Sequence, residues 1–203
     1  MPIPAVQLRA VVLVEGISDQ QAIEALAERQ GRNLEAEGVS VLAMEGAQAI
    51  GRFLELYGPR GKNLGLAGLC DVQEEDEFRR GLERAGLGSN LTRADMERLG
   101  FYVCVRDLED ELIRAHGAAS VERIVEAQGD LRSFRTLQKQ PAWQGQPVEE
   151  QLRRFMGSGG RRKIRYAAYL VEALELNKMP RPLSGVLDAT LRSPGDWKVL
   201  DHR

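Results

Sequence analysis

Short apolar segments alternate with segments of helical periodicity over the first 115 residues, and this alternation limits the chain to few architectures. Strands that alternate with helices predict a mainly parallel sheet covered by helices. The predicted strands are Arg9–Val14, Val39–Ala43, Leu64–Cys70 and Phe101–Val105. Beyond residue 115 the periodicity is helical only. We therefore predict an α/β core at residues 1–115 and a helical extension at residues 116–203.

The first predicted helix, Ser18–Gln30, begins close behind the first strand. Ser18 and Gln21 have the spacing of a capping box, in which two side chains satisfy backbone amides at a helix start. Gly31 follows the last apolar position of this helix and predicts its end.

Composition excludes several classes of protein. No apolar run approaches the roughly 20 residues of a membrane span, and the first residues lack the features of a signal peptide. Cys70 and Cys104 lie in apolar runs without a C-x-x-C partner, which argues against zinc and indicates reduced thiols in the cytoplasm. His116 and His202 are too far apart along the chain to suggest a metal pair.

Acidic residues follow three of the four predicted strands. Glu15 follows the first, Asp71 the third, and Asp107 and Glu109 the fourth. The carboxyl ends of parallel strands meet at one edge of a sheet, where ligands bind. Such a group of acids repels itself unless a cation is present, and oxygen ligands favour Mg²⁺ or Mn²⁺. These metals commonly serve phosphate chemistry.

Two of the acids have a simpler explanation. Asp19 and Asp107 fall in the first turns of predicted helices, where the helix dipole alone favours a carboxylate. Glu15 ends a core strand and has no such role there. The acids as a set therefore favour a metal site.

The motif V-E-G-I-S-D, followed by a strand ending in L-C-D, resembles the Toprim domain of topoisomerases, primases and repair proteins. Three further stretches resemble the Toprim nuclease domain of the overcoming-lysogenisation-defect (OLD) family: A-L-A-E-R-Q-G-R-N-L-E-A-E-G-V-S-V-L-A-M-E-G, F-Y-V-C-V-R-D-L-E-D-E-L and G-R-R-K-I-R-Y-A-A-Y-L. The resemblance covers about residues 10–190. It implies a Toprim-like Rossmannoid core of about four mainly parallel strands with a C-terminal helical extension.

The resemblance also implies site residues and an activity. Glu15, Asp19, Asp71 and Glu109 would be ligands of Mg²⁺ or Mn²⁺, and Lys163 would lie near the scissile phosphate. Glu15, Asp71 and Lys163 would then be the catalytic residues. The implied activity is metal-dependent cleavage of phosphodiester bonds in nucleic acid, by a DNA endonuclease or nickase.

The chain departs from the family pattern at one acidic motif. Where the family has D-x-D, this chain has Asp71-Val72-Gln73, and an amide is a weaker Mg²⁺ ligand than a carboxylate. Glu74 or Glu75 could supply the missing acid, and Asp107 is a further candidate ligand. One metal ion or two are both compatible with this motif.

A second departure concerns ATP. OLD proteins carry an ATPase domain before the Toprim domain, but no G-x-x-x-x-G-K-[ST] motif occurs here. The nearest stretch, G-P-R-G-K-N, has the wrong glycine spacing. We therefore expect a stand-alone Toprim protein whose ATPase partner, if it uses one, is a separate chain.

Positive charge is concentrated in the extension. Residues 131–165 contain nine basic and two acidic side chains. The glycine-rich loop Gly157–Gly160 leads into R-R-K at a helix start, which combines flexible backbone, free amides and cations. This pattern predicts contact with DNA, without excluding RNA, through Arg153, Arg154, Arg161, Arg162, Lys163 and Arg165.

Two other functions remain open from the sequence. Gln73 is compatible with a Toprim module that has weak or no catalysis and serves as a DNA-binding adaptor beside a separate ATPase. Acids and a lysine at strand ends are also typical of receiver-like domains, in which Asp71 would accept a phosphoryl group. The spacing Glu-Gly-x-x-Asp and the chain length argue against the receiver.

Overall fold

The computed structural model describes residues 7–192, so residues 1–6 and 193–203 of the two predicted regions, with His202, lie outside the described residues. Four strands are present in this range: β1 (Ala10–Val14), β2 (Val39–Ala43), β3 (Gly65–Asp71) and β4 (Phe101–Cys104). The helices among and around the strands are α1 (Ile17–Arg29), α2 (Ile50–Tyr57), α3 (Glu75–Arg84), α4 (Arg93–Arg98) and α5 (Leu108–His116). The extension contributes α6 (Ala118–Ala127), α7 (Leu131–Gln138), α8 (Val148–Gly157), α9 (Gly160–Ala173) and α10 (Arg181–Ala189).

The four strands form one parallel sheet in the order β2-β1-β3-β4. β1 pairs in parallel with both β2 and β3, and β3 pairs in parallel with β4. All four carboxyl ends therefore lie at the same edge. This confirms the parallel α/β core and the helical extension predicted from the sequence.

β1 is buried on both faces of the sheet, as its unbroken apolar run predicts. Val12 and Val14 join the hydrophobic cluster beneath α1 and the extension, whereas Val11 and Leu13 join the cluster beneath α2, α3 and α4. Such alternation is the period of two of a strand. β1 is therefore the central support from which the loop at Glu15 leaves the sheet.

β3 has a glycine, Gly68, at the position where β4 places an aromatic ring against it. Gly68 pairs with Phe101, and a Cβ on Gly68 would lie 2.5 Å from the Phe101 ring. A side chain at this position would displace the ring. The glycine thus allows the close approach of β3 and β4 that positions Asp71.

Helix α1 packs against α9 along much of its length. At the far end of this contact, the Arg29 guanidinium donates hydrogen bonds to the backbone carbonyls of Val171, at 2.6 Å, and Leu174. The hydrophobic cluster on this face contains residues from the sheet, from α1 and from α9. The division at residue 115 remains a prediction, and the packing on this face continues across it.

The predicted capping box of α1 is wrong. The helix begins at Ile17 with Gly16 as its N-cap, and the Asp19 carboxylate accepts a hydrogen bond from the Gly16 N–H at 3.1 Å. Ser18 is buried instead of capping. The start lies one residue earlier than the sequence suggests because glycine, which has no side chain, takes the extended N-cap position and leaves capping to Asp19.

Within the described range, none of the helices combines the length and the apolar character that crossing a bilayer requires. Cys70 and Cys104 are free and buried on opposite faces of the sheet. Burial raises the pKa of both thiols, so they act as apolar packing groups.

Candidate metal centre and its basic flank

Three carboxylates meet at the carboxyl edge of the sheet. Glu15 directly follows β1, Asp71 is the last residue of β3, and Glu74 is the N-cap residue of α3. One ligand oxygen from each lies within 4.8 Å of the others. Three oxygen donors at this spacing can face one hard divalent cation.

The position of Asp71 is electrostatically costly without a cation. Burial, followed by the charges of Asp19, Asp107, Glu15 and Glu109, raises the pKa of Asp71 to about 8. The pKa of Glu15 is raised by burial and then by the charges of Glu74 and Asp19. Acids whose ionisation is opposed by burial and then by neighbouring negative charge are suited to a site that a cation occupies.

Glu109 gives an independent observation that a positive ligand fits this edge. Its side chain lies in the first turn of α5 and is buried, with 5% of its surface exposed. Oε2 lies 3.5 Å from the Lys163 Nζ, whereas the buried Oε1 has no hydrogen-bond partner within residues 7–192. Burial raises the pKa of Glu109 to about 7 although Lys163 opposes the shift. An orphaned carboxylate oxygen is a ready ligand for a metal or a bound water.

Asp19 is held in place by its capping role and lies in the same electrostatic environment. Burial raises the pKa of Asp19, while Lys163 and the bond from Gly16 oppose the rise. The capping role thus explains why Asp19 lies at the helix start, but it does not explain why Asp19 is buried close to other acids. The arrangement brings Asp19 and Lys163 to one cleft, of about 290 Å³, that also contains Glu15 and Asp71.

The further candidate ligands differ in their surroundings. Gln73 is exposed, and Glu75 accepts a hydrogen bond from the Arg93 Nε at 3.1 Å. Asp107 caps α5 through the Asp110 N–H, at 2.8 Å, and accepts a bond from the Arg153 Nε at 2.6 Å. The fourth further candidate, Glu74, is the one that joins Glu15 and Asp71 in the described group of close carboxylates. The missing acid of the D-x-D pattern is thus matched by a neighbour one residue further along.

The sequence reasoning missed Glu45. This residue comes two positions after β2, so all four strands are followed by an acid, and Glu45 lines the same cleft as Glu15 and Asp71. Its backbone has a φ of 60°, in the left-handed region that is uncommon for a residue other than glycine. The signal that could have found it is its place at a strand end, in A-M-E-G.

The six predicted nucleic-acid-binding residues fall into two groups. Four are engaged: Arg153 with Asp107, Lys163 with Glu109, Arg165 with Asp130, and Arg162 stacked over the Phe155 ring at 4.3 Å. Within the described part of the chain, Arg154 and Arg161 are exposed and have no carboxylate partner. These six basic residues are therefore less available to phosphates than their number of positive charges implies.

A four-stranded parallel sheet with carboxylates at its carboxyl edge is the arrangement that the sequence resemblance to a Toprim domain implies. Residues 8–67 match the family model described as the overcoming lysogenization defect protein-like TOPRIM domain. This match confirms the resemblance inferred from the sequence.

Solved structures extend the likeness of the fold beyond the matched residues. The C-terminal region of the Burkholderia pseudomallei OLD protein is 21% identical with a TM-score of 0.70, and the alignment covers 90% of this chain and 97% of that chain. The C-terminal region of the Xanthomonas campestris pv. campestris OLD protein is 23% identical with a TM-score of 0.68, covering 90% and 91%. None of the curated proteins matches the chain.

Proposed function

We propose that this protein hydrolyses phosphodiester bonds in DNA with Mg²⁺ or Mn²⁺, as an endonuclease or nickase of Toprim type. The observation that carries the proposal is the group formed by Glu15, Asp71 and Glu74, whose ligand oxygens lie within 4.8 Å of one another. Carboxylates held together against their repulsion favour a divalent cation, and the Toprim family match favours nucleic acid as the substrate.

Glu15, Asp71 and Glu74 would hold the metal, with Asp19 and Glu109 completing the acidic environment on the side of Lys163. The donors are all carboxylate oxygens, which suit Mg²⁺ or Mn²⁺ better than zinc. A bound divalent ion at such a site supplies a water of lowered pKa and neutralises charge on the phosphate.

Lys163 is suited to stabilise the phosphate that reacts. Burial opposes the charged form of its ammonium group, but the carboxylates of Glu109, Asp19 and Asp71 outweigh this effect and raise the pKa of Lys163 above its ordinary value. The side chain therefore remains protonated, and Glu109 orients it at 3.5 Å. A fixed cation of this kind can stabilise charge that develops on non-bridging phosphate oxygens.

The adaptor without catalysis is the main alternative, and the place of Glu74 argues against it. Gln73 removes one acid from the D-x-D pattern, but Glu74 restores three carboxylates to the group. The receiver alternative shares the strand order of this sheet, so topology does not separate the two. The OLD-like family match supports the Toprim reading, and a separate ATPase partner remains a prediction.

Nicking of supercoiled plasmid in Mg²⁺ or Mn²⁺ tests the proposal, with a labelled RNA strand assayed in parallel. We expect Glu15→Gln and Glu74→Gln each to reduce cleavage at least about 100-fold, because each removes one charge from the metal group. Gln73→Asp should change cleavage little, since Gln73 is exposed. Glu77→Gln is the matched control, because Glu77 is on α3 and pairs with Arg80 at 3.3 Å.

Two results would contradict the proposal. Metal binding by calorimetry without cleavage of DNA or RNA would support the adaptor. Stable phosphorylation of Asp71 by a small phosphodonor would support the receiver.

A further inference from the structure

A second cleft adjoins the acidic one and shares the Lys163 side chain with it. It has a volume of about 300 Å³ and lies between α5, α8 and the loop that contains Trp143. This volume is at the lower end of the roughly 300–1,000 Å³ range of small-molecule sites. A group bound here would therefore be compact and would lie beside Lys163, which also lines the acidic cleft.

The charges lining this cleft are largely balanced within the protein. Asp107 pairs with Arg153, Glu150 with Arg106, and Glu109 with Lys163. Arg154 lines the cleft, is exposed, and has no carboxylate partner among residues 7–192. The cleft thus offers one uncommitted cation to an incoming anion.

Trp143 is the aromatic residue of the cleft and is held by a buried glutamine. It lies in the loop at residues 139–147, partly buried against the hydrophobic cluster. Gln151, itself 6% exposed, donates hydrogen bonds to the Trp143 carbonyl at 2.7 Å and to the Gln146 carbonyl at 3.1 Å. These bonds fix the backbone of the loop at Trp143, so less of the loop has to be ordered when a ligand binds.

We propose that this cleft holds an unpaired nucleotide of the substrate, with its base stacked on Trp143 and its phosphate at Arg154. The next phosphodiester would then lie at Lys163, which lines both clefts. Bases inside a duplex cannot reach an aromatic wall, whereas unpaired ones stack on it readily. The substrate would be a single strand, an overhang or a locally opened duplex. The inference rests on the proposed function, since it names the substrate of the same site.

Fluorescence of Trp143 tests the contact directly. The chain contains one other tryptophan, Trp197, so Trp197→Phe makes Trp143 the sole indole. This protein is titrated in Ca²⁺ with an oligothymidine of about 12 nucleotides and with a blunt duplex of that length, both checked for intactness afterwards. We expect the single strand to quench the emission and the duplex to quench it far less. Unchanged emission when labelled oligothymidine is fully bound would overturn the inference.

Variants separate stacking from simple charge. Trp143→Ala should weaken oligothymidine binding by about 5- to 100-fold, and Trp143→Phe should retain most of the affinity. Arg154→Ala should weaken binding, unlike Arg123→Ala, which removes an exposed cation from α6. Wild-type affinity in folded Trp143→Ala would also overturn the inference.

Failure of this inference is distinguishable from failure of the proposed function. If Trp143→Ala nicks plasmid and binds oligothymidine as the wild type does, the nuclease stands and the nucleotide cleft falls. If oligothymidine quenches Trp143 but no divalent metal supports cleavage, the cleft stands and the nuclease falls.

Discussion

The acidic edge of the sheet and the basic extension differ in how far their charges are paired with opposite charges. At the edge, Asp71 is held among other acids, and one oxygen of buried Glu109 has no partner within residues 7–192. In the extension, Arg153 and Arg165 have partners in Asp107 and Asp130. Negative charge is thus left uncompensated at the edge, whereas much of the positive charge is already neutralised.

This contrast shows that a basic side chain is not necessarily free to bind a phosphate, because it can already be paired with a carboxylate. Nine basic residues between positions 131 and 165 suggest a strong phosphate-binding surface. Of its six predicted binding residues, however, Arg154 and Arg161 alone are both exposed and without a carboxylate partner in the described range. Strong perturbation of a buried group in a cleft is the better indicator of a functional site. Lys163 joins the two regions, since it is a cation of the extension placed among the acids of the edge.

Among the variants that compare the acidic edge with the basic extension, Lys163→Ala should have the largest effect. If this residue serves the reacting phosphate, cleavage should fall by about 100-fold while DNA binding changes only slightly, because the interaction strengthens in the transition state. Single-turnover cleavage and equilibrium binding on one labelled DNA measure both quantities.

Arg161→Ala is the matched control, because Arg161 is on the same helix and lacks a carboxylate partner in the described range. It should weaken binding and cleavage in proportion. If Lys163→Ala behaves in the same way, Lys163 belongs to the basic surface and has no special role at the acidic edge.

Asp71→Asn should stabilise the metal-free protein. With the pKa of Asp71 raised to about 8, the folded protein keeps a proton that the unfolded chain loses from about pH 4 upward. The free energy of unfolding therefore falls as pH rises between these values. Removing the charge should add about 2 kcal/mol at pH 8, less than the full shift implies because the carboxylate is partly hydrated.

Urea unfolding in EDTA at pH 5 and pH 8 measures this effect, which should be larger at pH 8. Asp188→Asn is the control, since Asp188 is exposed on α10. A less stable Asp71→Asn protein at pH 8 would mean that neighbouring groups stabilise the Asp71 charge. The claim that this charge destabilises the metal-free folded protein would then be wrong.

The smallest effects should distinguish paired from unpaired arginines. Arg154→Ala and Arg161→Ala should each flatten the log–log salt dependence of DNA binding by about 0.9, the value for one phosphate contact. Arg153→Ala and Arg165→Ala should flatten it less, because a phosphate must compete there with Asp107 or Asp130. Equal slopes for Arg161→Ala and Arg165→Ala would show that the ion pairs open freely on binding.

Much of the fold was predictable because its signals are local. The apolar run of β1 predicts a strand buried on both faces, and the acids at strand ends predict one shared edge. Pairing of Arg153 with Asp107 joins residues 46 positions apart, so it depends on how α8 packs against α5. No local pattern reveals such a contact, and the predicted binding surface was overcounted for this reason.

Glu74 shows where prediction of the site reached its limit. The sequence offered Glu74 and Glu75 equally as substitutes for the missing acid. The choice depends on where α3 begins: Glu74 is its N-cap and faces Glu15 and Asp71, whereas Glu75 lies within the helix and pairs with Arg93. A helix start is uncertain by one or two residues when it is predicted from sequence. Glu74 and Glu75 are one residue apart, so the sequence alone does not decide between them.

The contact between α1 and α9 constrains how this protein can change over evolution. Asp19 lies near the start of α1 and Lys163 near the start of α9, and at the other end Arg29 binds the carbonyls of Val171 and Leu174. The packing of α1 against α9 therefore fixes the position of Asp19 relative to Lys163. An insertion or deletion between Asp19 and Arg29, or between Lys163 and Val171, would therefore shift the acid relative to the lysine.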